Sequence, residues 1–163
     1  EAGYERLARY ENAYKKETEK ALLSVKENRR TGIVLTGRPF HADAQIHKGI
    51  PYMADTLGAA VLSGEGLALL EKDRLPGGAR SSSYILGKAC ERVIREDGLE
   101  LVALRSVSCG LDREAADGAE RKLKEKGKLY TVLSLDQGTN TGAVKIRLRT
   151  LLAEIEERNS FCK

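Results

Sequence analysis

The sequence predicts an α/β domain in which four short parallel strands, in the order 2-1-3-4, are covered by helices on both faces. Three observations carry this. Short apolar runs rich in β-branched residues alternate along the chain with segments of helical periodicity. Glycines fall just after the periodic segments, where helices stop. The longest apolar run, LELVALRSV at 99–107, is apolar at its centre on both faces, as a strand buried in mid-sheet must be.

Residues 1–30 are dominated by Glu, Lys, Arg, Ala and Leu, with Tyr4, Leu7, Tyr14, Leu22 and Val25 forming a sparse apolar stripe. They read as a long, mostly solvated connector helix. Residues 31–163 read as a single α/β domain.

GIVLT at 32–36 is the first strand, ended by Gly37 and followed by the loop GRPFHADAQIHKG. Pro51 suits the first turn of a short helix over 50–57, with Gly58 as its stop. AAVLS at 59–63 is the second strand, and residues 64–78 read as a loop with at most one helical turn. Ser81 to Ser83 can cap a helix reaching residue 97, with Leu86, Ala89, Cys90, Val93 and Ile94 on one side.

After the third strand, Asp112 is the expected cap of a helix that turns Ala115, Ala116, Ala119 and Leu123 inward and stops at Gly127. KLYTVLSLD at 128–136 is the fourth strand. Residues 141–158 form the clearest helix, with Val144, Leu148, Leu151 and Ile155 in one stripe. Right-handed crossovers between such strands give a flavodoxin-like or Rossmann-like half.

Composition narrows the function classes. The net charge of +4 is spread without a basic block, and aromatics make up only 5%, so a nucleic-acid surface is not expected. No apolar run nears the roughly 18 residues of a membrane span, and no signal peptide is visible. Three separated cysteines without a CxxC pair, Cys90, Cys109 and Cys162, fit a reducing, cytoplasmic setting. The chain starts at Glu1 and holds one methionine, which suggests part of a longer polypeptide.

In a sheet of this order, ligands bind beyond the carboxyl ends of the strands, at the switch in strand order. That selects the loops at 37–48, 106–112 and 136–142. The first gathers Arg38, His41, Asp43 and His47. Pro39 holds Arg38 extended, so its guanidinium can fork onto a phosphate or carboxylate. The alternative is a polar loop in which His41 and Asp43 hydrogen-bond the backbone. The histidine spacing suits no metal set, and the glycine pattern of a dinucleotide fingerprint is absent.

In the third loop small residues precede a helix N-terminus, which can receive an anion. Arg147 lies about 60° off the apolar stripe, at about 100° per residue, and can reach back over the sheet or simply snorkel. In the second loop Cys109 stands where a strand hands over to a helix, a position that stabilises a thiolate. A thiolate there suits a nucleophile with His41 as base, a cluster ligand, or an inert core thiol.

Two segments carry a family resemblance. GIVLTGRPFHADAQIHKGIPYMADTLGAAVL resembles the GRPYHxD...GIP...LG..VL pattern of acyl-CoA dehydratase activase-related proteins. SVSCGLD with KGKLYTVLSLDQGTNTGAVKIRLRTLLA resembles that family's SFGCGxD and GKxYTxLKIDExxNxGAxxIRxRSLxA. The chain differs at Phe40 for Tyr, Val107 and Ser108 for Phe and Gly, and Gln137 for Glu.

The resemblance implies a long cytoplasmic protein of anaerobic metabolism. In it, ATPase activator modules accompany sheet domains similar to the iron-sulfur subunits of 2-hydroxyacyl-CoA dehydratases and benzoyl-CoA reductases. It implies that Cys109 is one cluster ligand, the others lying upstream in the parent, and that Arg38, His41, Asp43, Asn140, Gly142 and Arg147 face the crevice. No catalytic residue is assigned.

The implied function is low-potential electron transfer to a 2-hydroxyacyl-CoA dehydratase-type partner, with an iron-sulfur cluster in the full parent and none in this chain alone. The isolated chain would be inactive. The alternative is a phosphate- or CoA-binding, or protein-docking, module in which Cys109 is structural and a CoA thioester is a candidate ligand.

Overall fold

The computed structural model describes residues 2–71, 81–105, 110–135 and 140–161, and for residues 2, 110–112 and 161 the backbone alone. The element order is α1 (Ala2–Glu27), β1 (Gly32–Thr36), a 3-10 turn (Pro39–Ala42), α2 (Ala44–His47), α3 (Ile50–Thr56), β2 (Ala60–Ser63) and α4 (Gly64–Leu70). Then come α5 (Ser82–Arg95), β3 (Leu99–Arg105), α6 (Gly110–Glu125), β4 (Tyr130–Ser134) and α7 (Thr141–Phe161). The sheet has the order β2-β1-β3-β4, and every pairing is parallel. Fold class and strand order are therefore those expected. The switch in order falls between β1 and β3.

Alternation along the strands divides the core in two. Val34, Leu62, Leu99 and Leu101 face α1, α4, α5 and α6, where Leu22, Val25, Leu67, Val93 and Leu123 meet them. Ile33, Val102, Leu104 and Leu133 face α3 and α7, where Ile50, Ala54, Val144, Leu148, Leu151 and Ile155 meet them. The α7 stripe is buried as its spacing requires, each large side chain contributing about 1.5–3 kcal/mol. Gly58, Gly98 and Gly127, the expected helix stops, all have positive φ.

Two local expectations change, and one buried charge beside the apolar centre of β3 adds to them. Residues 64–70 form a two-turn helix rather than a loop, because tertiary packing outweighs the cost of about 1 kcal/mol for each helical glycine. A Cβ at Gly66 would strike the Thr18 hydroxyl, and one at Gly64 would strike the Thr36 methyl, so only glycine lets α4 lie this close to α1 and β1. Helix α6 starts at Gly110, ahead of the expected Asp112 cap. Strand β3 is not apolar throughout: Glu100, 1% exposed, points to the α7 face, where it pairs with Arg158 and accepts the Leu129 N–H.

The C-terminal half of α1 belongs to the first core cluster, while Tyr4, Leu7 and Tyr10 in its first turns are exposed. Among the described residues no helix is long and apolar enough to cross a membrane.

Candidate functional site

At the carboxyl end of β1 the chain passes directly into the first loop. Arg38 takes the extended geometry that Pro39 demands (φ −76°, ψ 156°) and caps the 3-10 turn, which brings His41 back over the strand end. The Arg38 N–H donates to Nδ1 of His41 at 3.1 Å. This bond leaves Nε2 as the proton-bearing nitrogen of the neutral ring. His41 is only 4% exposed, and the Phe40 ring meets it edge-on with centroids 4.4 Å apart.

Gly37 makes this possible. A Cβ there would collide with Nδ1 of His41, so the residue after the strand has to be glycine for the imidazole to lie against the backbone.

Arg38 and His41 line a cleft of about 370 Å³, a volume on the scale of small-molecule sites. Its walls are chiefly apolar, including Leu35, Val61, Leu62 and Ile85. Its polar groups include His47, Glu65, and Tyr14 with its hydrogen-bond partner Ser63. Burial pushes the Tyr14 phenol above its ordinary range, outweighing the Ser63 hydrogen bond, which lowers it. Helix α1 thus forms one wall of the cleft, through Tyr14, Glu17 and Thr18. Sequence reasoning placed that helix outside the site, although Tyr14 lies in the stripe that leads to Leu22 and Val25.

Of the other residues expected in these loops, His47 also lines the cleft, and the rest of those described do not. Asp43 is exposed and caps α2, accepting the Gln45 N–H at 2.8 Å. His47 accepts the Gly49 N–H through Nδ1 at 3.1 Å. Asn140 is the cap of α7, its Oδ1 accepting the N–H groups of Gly142 at 2.8 Å and Ala143 at 3.4 Å. Arg147 does reach back to the sheet, where its Nη1 donates to the Val132 carbonyl at 3.0 Å and covers the open edge of β4. Arg38 and His41 are therefore brought into one cleft. Asp43, Asn140, Gly142 and Arg147 do not line it.

Cys109 and Cys162 lie outside the described residues. Cys90 is 2% exposed, packed between α5 and α6, with its Sγ 3.9 Å from the Ala119 carbonyl. Burial pushes its thiol up, against the nearby Lys122, so it stays protonated. An iron-sulfur cluster needs three or four thiolates. With Cys90 committed to the core, the donor set of this chain does not fit a cluster held by the chain alone. Among the described residues no group of three or more His, Cys, Asp or Glu side chains is placed to hold a metal.

Residues 1–67, from α1 through β2 into α4, match the family described as "CoA enzyme activase uncharacterised domain". The matched span includes GRPFHAD, so the resemblance drawn from that motif is borne out over residues 1–67. No curated protein and no solved structure matches the chain.

Proposed function

We propose that this chain is a sheet domain of a CoA-enzyme activase that lends one thiolate, from Cys109, to an iron-sulfur cluster shared with other domains of its parent. The supporting observation is where Cys109 falls. In the sequence it directly precedes Gly110, the first residue of α6, a helix of 16 residues, in the segment that joins α6 to β3. Free amides and the partial positive charge of a helix start favour a thiolate over a thiol. The remaining ligands come from other sheet domains, since Cys90, the one thiol among the described residues, is committed to the core.

When bound, the cluster supplies one-electron chemistry at low potential. ATP hydrolysis in the activator modules drives the electron toward a CoA-dependent partner enzyme, and the chain by itself is inactive. The test is anaerobic expression of the full parent with iron and sulfide counted. Cys109→Ala lowers the cluster content; unchanged content removes Cys109 from the ligand set.

A second reading makes the domain a binding module for a phosphate-bearing ligand such as CoA, with Cys109 structural. The cleft that joins Arg38 and His41 favours it. Titration of CoA against the chain distinguishes the two, because only this reading requires saturable binding that Arg38→Gln abolishes.

A further inference from the structure

The two histidines of the chain, His41 and His47, both line the large cleft. Each accepts a backbone N–H of its own loop through Nδ1, His41 from Arg38 at 3.1 Å and His47 from Gly49 at 3.1 Å. Only a neutral imidazole can do this. A protonated ring carries a hydrogen on both nitrogens and has no acceptor left, so ring and amide then meet donor against donor.

The two rings differ in how that conflict can be relieved. His47 and Gly49 are half-buried, and water can take over the Gly49 N–H. His41 is 4% exposed, with the Phe40 ring edge-on against it and the Gly37 backbone beside Nδ1. Turning the ring over brings a carbon to the Arg38 amide, so no rotation restores an acceptor. A charged ring in that place also loses most of its hydration.

The other charged or titratable groups that line the cleft are Arg38 in the turn itself, His47 on α2, Tyr14 and Glu17 on α1, and Glu65 on α4. From β1, β2, β3, α3 and α5 the described lining residues are uncharged. Glu65 and Glu17 draw positive charge toward the ring, although Glu17 already pairs with Lys20 at 2.7 Å, while Arg38 and burial oppose it. Opening the turn satisfies both sides, because the protonated ring regains water and the Arg38 N–H is freed.

We propose that His41 is a pH latch on the cleft: protonation of its ring expels Nδ1 from the Arg38 amide and releases the 3-10 turn from the end of β1. Arg38, Pro39, His41 and Ala42 all belong to the cleft wall and move with the turn. The closed turn excludes the proton and the open turn admits it. Closure is therefore fully held above the ordinary imidazole value of about 6.5 and is lost as pH falls below it. The latch depends on the geometry of the turn and is the same whether the cleft takes CoA or Cys109 ligates a cluster.

The test is an NMR titration of the 163-residue chain from about pH 7.5 to about pH 5, the range in which an imidazole changes charge. It follows the His41 ring, the Arg38 amide, and hydrogen exchange at the His41 and Asp43 amides, which bond to Arg38 and Phe40 carbonyls within the turn. Glu71 and Glu96, held below 4.5, stay ionised over that range, so a local opening is read apart from their loss. The expected result is one shared midpoint for ring and Arg38 amide, and a fall of about tenfold in protection of the two turn amides, corrected for intrinsic exchange, while the Val34 amide in β1 keeps its protection. His41→Asn keeps an acceptor oxygen for the Arg38 amide and cannot titrate, so it abolishes the pH dependence; His47→Asn retains it. A His41 ring that titrates without the Arg38 amide, a ring that stays neutral throughout, unchanged protection, or pH dependence that survives in His41→Asn overturns the proposal. Loss of the dependence in His47→Asn overturns the assignment to His41. The titration of the unsubstituted chain decides the matter by itself where His41→Asn does not fold.

Discussion

Removing Arg158 should destabilise this fold far more than a partly exposed arginine near the chain end would suggest. Its partner Glu100 is 1% exposed on the central strand, while the Arg158 side chain is 33% exposed on α7. Among the described residues Arg158 is the one cation in ion-pair contact with that carboxylate, and the Leu129 N–H is the other donor it has. Arg158→Ala leaves a buried carboxylate with that amide alone, a change that costs about 3–5 kcal/mol, against about 0–1 kcal/mol for an exposed pair.

For a chain of this length the loss corresponds to a fall in Tm of roughly 6–20 °C. Glu100→Gln costs less, about 1–2 kcal/mol, because the guanidinium left behind can turn to water and the amide keeps an acceptor for Leu129. Urea unfolding with a constant m-value measures both. A loss below about 1 kcal/mol for Arg158→Ala, or a larger loss for Glu100→Gln than for Arg158→Ala, would refute the reasoning.

Gly37→Ala should force the His41 ring off the Arg38 amide, costing about 1–3 kcal/mol by overpacking, read from the urea midpoint. Glu71 and Glu96 give the chain an acid limb. Burial pushes Glu71 up, but its pairing with Arg95 and Arg92 holds the carboxyl below its ordinary value of 4.5. The Lys26 hydrogen bond, reinforced by Arg92, does the same for Glu96 against burial. Both groups bind fewer protons in the folded than the unfolded chain, so their stabilisation is full above that value and is lost as pH falls through the lower folded pKa values. Urea midpoints across the acid range should show this, and Glu71→Gln should flatten the slope. Cys90 should resist alkylation at mildly alkaline pH until urea exposes it; peptide mass mapping that finds it labelled in the native state would contradict its burial.

The local grammar of the chain carried most of the fold. The runs GIVLT and LELVALR, the Ser81 cap and the α7 stripe are all short-range signals, and each element appears where its periodicity or cap put it. The site was less legible. Arg38 and His41 sit in one cleft because Pro39 and Gly37 act within a few residues of them, and that much was readable. Asp43 and Asn140 satisfy the backbone at their own helix starts, a use that polar loop residues share with binding residues and that spacing does not separate.

By itself, the sequence determined the four strands, their parallel order and the helices around them, because amphipathic period and crossover handedness follow from neighbours along the chain. Only the tertiary structure decided what meets across the sheet. Glu100 and Arg158 lie 58 residues apart in sequence. Helix α4 keeps two glycines because α1 and β1 press against it. These are questions of which side chains share a few cubic ångströms after packing, and periodicity along one element carries no information about the element that will lie against it.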